Sequence, residues 1–215
     1  MIVVIQCAAT KDEKAGKLRA ADGKPVLFVA DPARAPQSSE MRYARPDDLS
    51  DYGASWRELL LRYNERQDGN PFGLLPAIDL YENSVYHRLS DAFGMEDTFI
   101  LSAGWGLISG SFLTPDYDIT FSQSADPYKR RRRSDLYRDL CQLPADTNET
   151  IFFFGGKDYV PLFVALTKDI SAPKTVFYNS AQAPVAPGCT LQRFETTTRT
   201  NWHYECANAF IRSRA

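Results

Sequence analysis

The sequence has little with which to bind a metal or cross-link itself. Its histidines are His87 and His203, and its four cysteines, Cys7, Cys141, Cys189 and Cys206, lie far apart with no Cys-x-x-Cys pair. Structural zinc sites draw on closely spaced ligand pairs, so no metal is expected. A disulfide framework is equally unsupported. No stretch approaches the roughly 20 apolar residues of a membrane span. The opening run Ile2-Val3-Val4-Ile5 is too short for the core of a signal peptide, and no basic segment precedes it. The cytoplasm is therefore the expected compartment, with no membrane partner. An excess of one charge is also missing. The 25 Lys and Arg against 27 Asp and Glu give a net charge of −2, which excludes a globally basic nucleic-acid binder and leaves only a local patch for such a role. Internal repeats and low-complexity linkers are absent from the sequence.

What is present fits an α/β protein. The 215 residues, 44% hydrophobic and 13% aromatic, suffice for one domain with a sizeable core. Residues 2–5 are apolar, β-branched and uninterrupted, which predicts a strand buried on both faces. Residues 26–30, 98–102, 151–154, 175–178 and 191–194 read as further strands. A helix is predicted over 56–67, where Ser55 and Glu58 form a capping box. A second is predicted over 80–93, where Tyr81, Val85, Leu89 and Phe93 recur every four residues and Gly94 ends the run. Further helices are predicted over 134–141, 160–167 and 200–212. Continuous apolar strands with helices between them predict a single α/β domain, a mainly parallel central sheet flanked by helices. The strands at 2–6, 98–102 and 151–154 should share that sheet, with their carboxyl ends at the edge where open α/β sheets bind ligands.

Candidate chemistry gathers at those strand ends. Cys7 follows the first strand and is either a covalent nucleophile or a buried structural cysteine. Ser102-Ala103-Gly104-Trp105-Gly106 follows another strand. Ser109-Gly110-Ser111 and Pro115 deny it the helix that a dinucleotide fingerprint requires. A nicotinamide or flavin is thereby rejected, and the segment either shapes a pocket or makes a tight bend. Gly155-Gly156-Lys157-Asp158-Tyr159 opens a helix; its backbone N–H groups either approach an anion or form a plain turn. Pro115-Asp116-Tyr117-Asp118 sets two carboxylates around a tyrosine, for acid–base work or for capping a turn. The most distinctive charge feature is Lys129-Arg130-Arg131-Arg132-Arg133. Five successive cations repel one another and oppose the dipole of the helix predicted to follow. Contact with nucleic-acid phosphates would offset that cost, with Tyr128 and Tyr137 stacking on bases. A solvated basic loop is the alternative.

The stretch Ile100-Leu101-Ser102-Ala103-Gly104-Trp105-Gly106-Leu107-Ile108, followed by Pro115-Asp116-Tyr117-Asp118, resembles the YaaA-like family. Its members carry a strand ending in Leu-Ser, then a small residue, an aromatic, Gly and Leu, with a proline and a tyrosine further on. The opening Val-Ile-Gln-Cys-Ala and the turn from Gly155 to Tyr159 are similar to two more motifs of that family, in the same order. Thr10 stands near where relatives often place lysine, with Lys11 next; Trp105 replaces the commoner tyrosine; and the segment 119–149 has no counterpart. The resemblance implies nucleic-acid business. It extends to stress proteins that bind DNA and to the DpdC members of bacterial deazaguanine DNA-modification systems, which act on a cyano base.

Residues and resemblance together predict an enzyme acting on a modified base in DNA, in its concrete form hydrating a deazaguanine nitrile to the amide, with no cofactor and no metal. Cys7 is the expected nucleophile, and Asp116 or Asp118 the proton carrier. Ser102, Gly104, Trp105, Gly106 and Tyr117 are expected to form the base pocket, with Trp105 stacking on a flipped-out base. Gly155, Gly156, Lys157 and Tyr159 are expected to hold sugar or phosphate, and Lys129, Arg130, Arg131, Arg132 and Arg133 the DNA backbone. The alternatives are a non-enzymatic DNA-binding stress protein of YaaA type and a hydrolase of free nucleotides or nucleosides.

Overall fold

The first apolar run forms strand β1 (Ile2–Gln6), with its residues up to Ile5 buried. The computed structural model describes residues 1–66 and 69–214. Along the chain β1 is followed by β2 (Val26–Val29), β3 (Arg42–Ala44), α1 (Trp56–Glu65), β4 (Leu75–Pro76) and α2 (Val85–Phe93). Next come β5 (Thr98–Ser102), β6 (Gly106–Ser109), β7 (Leu113–Thr114), β8 (Tyr117–Asp118), β9 (Leu140–Cys141) and β10 (Ile151–Phe154). The chain closes with α3 (Val160–Thr167), β11 (Lys174–Tyr178), β12 (Thr190–Arg193) and α4 (Trp202–Arg212).

Seven strands form the central sheet, in the order β12-β11-β10-β1-β5-β6-β9. β1 pairs in parallel with β5 on one side and β10 on the other, and β11 and β12 continue the parallel run. β6 folds back antiparallel on β5, and β9 runs parallel to β6. The chain thus leaves β1 toward β5 and later resumes at β10 on the opposite side. β1 is the switch point, beyond whose carboxyl end a crevice opens.

Side chains along a strand alternate between faces, and β10 shows what covers each. Phe153 stacks on Phe163 of α3, with centroids 4.6 Å apart and planes 7° from parallel. Phe152 and Phe154 turn the other way, to Phe210 of α4, at 4.6 and 5.3 Å. α2 lies beside α4 on that second face. Because both faces are sealed, an unbroken aromatic run marks this strand instead of an alternating one.

The parallel sheet, the strands at 98–102 and 151–154 and the helix over 160–167 match the expectations. The capping box is formed: Ser55 Oγ accepts the Glu58 N–H, and the Glu58 carboxylate accepts the Ser55 N–H. α1 ends at Glu65; Gln67, its predicted end, lies outside the described residues. The strand predicted at 26–30 forms, but in a separate parallel sheet, β3-β2-β8.

Two predicted helices differ. Residues 80–84 are not helical, because their backbone is engaged elsewhere. Leu80 C=O accepts from Asp12, Tyr81 bridges to Lys11, and Asn83 Oδ1 accepts the Val85 N–H at 3.0 Å. Tyr81 therefore leaves the helical register, and its ring enters the core. The helix over 134–141 is absent. Leu140 and Gln142 donate to the carbonyls of Trp105 and Leu107 at 3.0 and 2.9 Å, and Arg138 N–H donates to Asp47 at 2.9 Å. Pairing with β6 overrides a modest helix propensity. Among the described residues no helix is long and apolar enough to cross a membrane.

Candidate functional site

Three strand ends meet at the switch point. Cys7 N–H donates to Leu101 C=O at 3.0 Å, which sets Cys7 beside Ser102. The pairing of Ile5 with Phe154 carries it alongside the Gly155-Gly156 turn. Gln6 Oε1 accepts the Gly156 N–H at 2.6 Å and pins that turn to β1. A cleft of about 950 Å³ opens over these ends, within the size range of small-molecule sites. Cys7 and Tyr159 line it, with walls from the loop after β8 and from the segment entering α4.

Cys7 is only 4% exposed, yet it faces this cleft. Its Sγ lies 3.3 Å from the Tyr159 hydroxyl. Behind it runs a chain of hydroxyls. Ser102 Oγ donates to the Tyr117 hydroxyl at 2.8 Å, and Tyr117 shares a second hydrogen bond of 2.8 Å with Tyr81. Ser102 Oγ also accepts the N–H groups of Gly104 and Trp105, which fixes its orientation. On the other side the Tyr86 hydroxyl donates to Gln6 C=O at 2.8 Å and meets the Tyr204 hydroxyl at 3.3 Å. Burial pushes the Tyr81, Tyr117 and Tyr159 phenols well above the usual tyrosine range, and the Cys7 sulfur pushes them the same way. At neutral pH all three are protonated and can donate.

Lys11 completes the group. Its ammonium stands 4.2 Å from the centroid of the Tyr117 ring and donates to Ala9 C=O. Burial lowers its pKa, while Cys7 and then Asp116 and Asp118 pull it back up. A thiol in contact with a phenol at the wall of a cleft can bond to an electrophilic carbon while the phenol delivers a proton beside it.

Several expected roles are redistributed. Asp116 and Asp118 flank Tyr117, whose ring turns inward. Each is held in an ion pair, with Lys17 and Lys129 respectively, at 2.9 Å. The hydrogen bond that Lys129 donates to Asp118 holds its ammonium above the usual lysine value. The hydroxyl that touches the thiol is that of Tyr159, at 3.3 Å. Ser102, Gly104, Trp105 and Gly106 lie behind Tyr117, outside the cleft wall. Trp105 is fully buried and edge-on to Phe28 at 5.0 Å, so it offers no face to a base. A Cβ on Gly104 would stand 3.1 Å from the Tyr117 ring, and Gly106 has a φ of +93° against the Leu140 backbone. Both glycines serve close packing. Gly156, Lys157 and Tyr159 line the cleft, whereas Gly155 is buried against the Phe153 ring.

The side chains of the basic run have different surroundings. Thr120 N–H donates to Lys129 C=O, and Arg131 N–H to Thr120 C=O, which stitches the run beside the cleft loop. Arg131 is 6% exposed. Its guanidinium holds Asp139 through two hydrogen bonds of 2.8 and 2.5 Å, donates to Ala103 C=O at 2.8 Å and lies 3.8 Å from the Tyr137 ring centroid. Lys129 is tied to Asp118 and Asp126, and Arg133 meets Asp158 at 3.6 Å. Carboxylates of this same chain thus relieve most of the repulsion, and Arg131 is withdrawn from phosphate contact. Tyr137 is covered by Arg131 and Arg45, which removes it as a stacking surface.

Gln6, Lys11, Tyr81, Tyr204 and Arg57 are site or supporting residues that sequence reasoning did not select. Arg57 is buried, paired with Asp47 at 2.6 Å, and donates to the carbonyls of Gly104 and Trp105 at 3.0 and 2.9 Å. With Arg131 on Ala103, two buried guanidiniums hold the turn that orients Ser102. Lys11 alone carried a signal, as the lysine one place beyond Thr10 in the opening motif.

His203 lies at the α4 wall, 3% exposed, with no partner for Nε2 among the described residues. Burial lowers its pKa to about 4. The unfolded chain accepts the proton near 6.5 and the folded chain only near 4, so stability falls as pH drops through that window. The share at stake is roughly 3 kcal/mol. Denaturant unfolding of wild type and His203→Leu at pH 7 and pH 4 checks this: the variant should lose that share of the pH dependence, and an unchanged slope would refute it. Among the described residues no group of three or more His, Cys, Asp or Glu is placed to hold a metal ion.

No family model matches the chain, and neither a curated protein nor a solved structure matches it. Fold and site together define an α/β protein with a thiol-bearing cleft at the switch point of a mainly parallel sheet.

Proposed function

We propose that this protein is an enzyme that uses Cys7 as a covalent nucleophile on an electrophilic carbon of a modified nucleobase, in its concrete form hydrating the nitrile of a cyano-deazaguanine to the amide. The observation that carries the proposal is the 3.3 Å contact of Cys7 Sγ with the Tyr159 hydroxyl beside a cleft of ligand size. The resemblance of the strand-end motifs to YaaA-like proteins supports the choice of base.

The chemistry follows from those groups. The Cys7 thiolate adds to the nitrile carbon; a C–S bond forms, one π bond of the nitrile breaks, and Tyr159 gives its proton to the nitrogen. Water then adds to the thioimidate carbon; a C–O bond forms, the C=N π bond breaks with its electron pair on nitrogen, and one water proton returns to the Tyr159 phenolate. The new hydroxyl proton passes to nitrogen, the C–S bond breaks, and its electron pair returns to sulfur. One water has been added, and both side chains are restored.

The base has two possible carriers. DNA is one, supported by Arg130 and Arg132, whose guanidiniums meet no carboxylate among the described residues. A free nucleotide is the other, favoured by the neutralisation of Lys129, Arg131 and Arg133 within the chain. A purely DNA-binding role makes no use of the thiol–phenol pair. The test is incubation with cyano-deazaguanine in DNA and as the free nucleotide, with mass spectrometry following the gain of water. Conversion of either supports the proposal and identifies the carrier; folded protein that converts neither contradicts it.

A further inference from the structure

We infer that an arginine-lined trough next to the cleft is a phosphate subsite, so that the ligand is a phosphorylated nucleotide unit and not a free base or nucleoside. This rests on the reading of the cleft as a nucleobase site. The trough, about 350 Å³, is lined by Arg130, Arg132 and Arg133 together with Phe121, Gln123 and Asp158. The last three also line the Cys7 cleft, so the two depressions are continuous. The Phe121 ring stands edge-on to the Tyr159 ring at 5.0 Å and marks the divide between them. A base with its reactive carbon at Cys7 has its sugar pass Phe121 and its phosphate reach the arginines.

The charge balance points to an anion. Arg131 also borders the trough, but Asp139 cancels it, and Asp158 faces Arg133 at 3.6 Å. Arg130 donates to Gln123 C=O at 3.1 Å and is half-exposed; Arg132 is exposed, with its backbone N–H on Asp135 at 2.7 Å. The guanidiniums of Arg130 and Arg132 meet no carboxylate among the described residues and keep donors free. Two such forks in a concave site suit the paired oxygens of a phosphate. Like charges gathered in one depression repel, and a bound phosphate relieves that repulsion.

The test is titration calorimetry with inorganic pyrophosphate, a nucleoside 5′-monophosphate, the matching nucleoside and a dinucleoside phosphodiester. Wild-type protein should bind pyrophosphate, and should prefer a phosphorylated ligand over the nucleoside by about tenfold or more, the worth of one charge-assisted hydrogen bond. Arg130→Gln/Arg132→Gln should lose that preference while melting as wild type does, since the replaced side chains are surface groups; Arg132→Gln alone should lose part of it. Cys7→Ala should retain it, because the subsite does not involve the thiol. Retained phosphate preference without nitrile conversion would therefore sink the proposed reaction and leave the subsite standing. Preference for the monoester assigns a free nucleotide, and preference for the diester assigns a strand. Absence of pyrophosphate binding, or a preference unchanged in the double variant, overturns the subsite.

Discussion

Cys7→Ala should abolish turnover while melting close to wild type and still binding ligand. The substitution removes one sulfur from a small, buried side chain at the end of β1 and leaves the hydroxyl chain from Ser102 to Tyr81 in place. A covalent route has no substitute for its nucleophile. Tyr159→Phe provides the companion result. It keeps the ring that packs edge-on against Phe121 but removes the proton donor 3.3 Å from the sulfur. General acid–base groups contribute about 10²–10⁴-fold, so kcat should fall by that order with little change in KM. Steady-state kinetics on the nitrile substrate, with thermal melting of each variant, separates this from a folding defect. Undiminished kcat in Tyr159→Phe would transfer the proton to Tyr117.

The second large effect concerns stability. Arg131→Met should cost about 3–5 kcal/mol, because it leaves the buried Asp139 carboxylate without its partner and strips a donor from Ala103 C=O. Arg131→Met/Asp139→Leu should recover most of that loss, since replacing a buried pair by apolar groups is often neutral or stabilising. Urea unfolding of the two variants reads the difference directly. A loss under about 1 kcal/mol in the single variant would return Arg131 to the surface role suggested by its place in a run of five cations.

Arg131 shows where the sequence stops being legible. Its neighbours announce a charged loop, whereas its partner Asp139 and its stacking on Tyr137 arise from a fold-back that no local spacing encodes. The same holds for 134–141, whose backbone pairs with β6, and for Tyr81, whose spacing of four suggested a helix that the contacts of Leu80 and Asn83 prevent. The central strands were legible for the opposite reason. Residues 2–5, 98–102 and 151–154 are buried on both faces, so their composition alone marks them. Their shared edge follows from parallel pairing, and with it the meeting of Cys7 with the 155–159 turn. Which side chains then face the thiol depended on rotation about β8. The carboxylates of Asp116 and Asp118 were the conspicuous groups, but it is Tyr117 between them that turns inward.

The most direct measurement is peptide-mapping mass spectrometry of the protein quenched in acid during reaction with the nitrile substrate. The account predicts a thioimidate adduct, with the mass of the intact substrate, on the peptide carrying Cys7. The exposed Cys141 and half-buried Cys189 serve as internal controls and should remain unmodified. Turnover without any adduct on Cys7, or full turnover by Cys7→Ala, would contradict it.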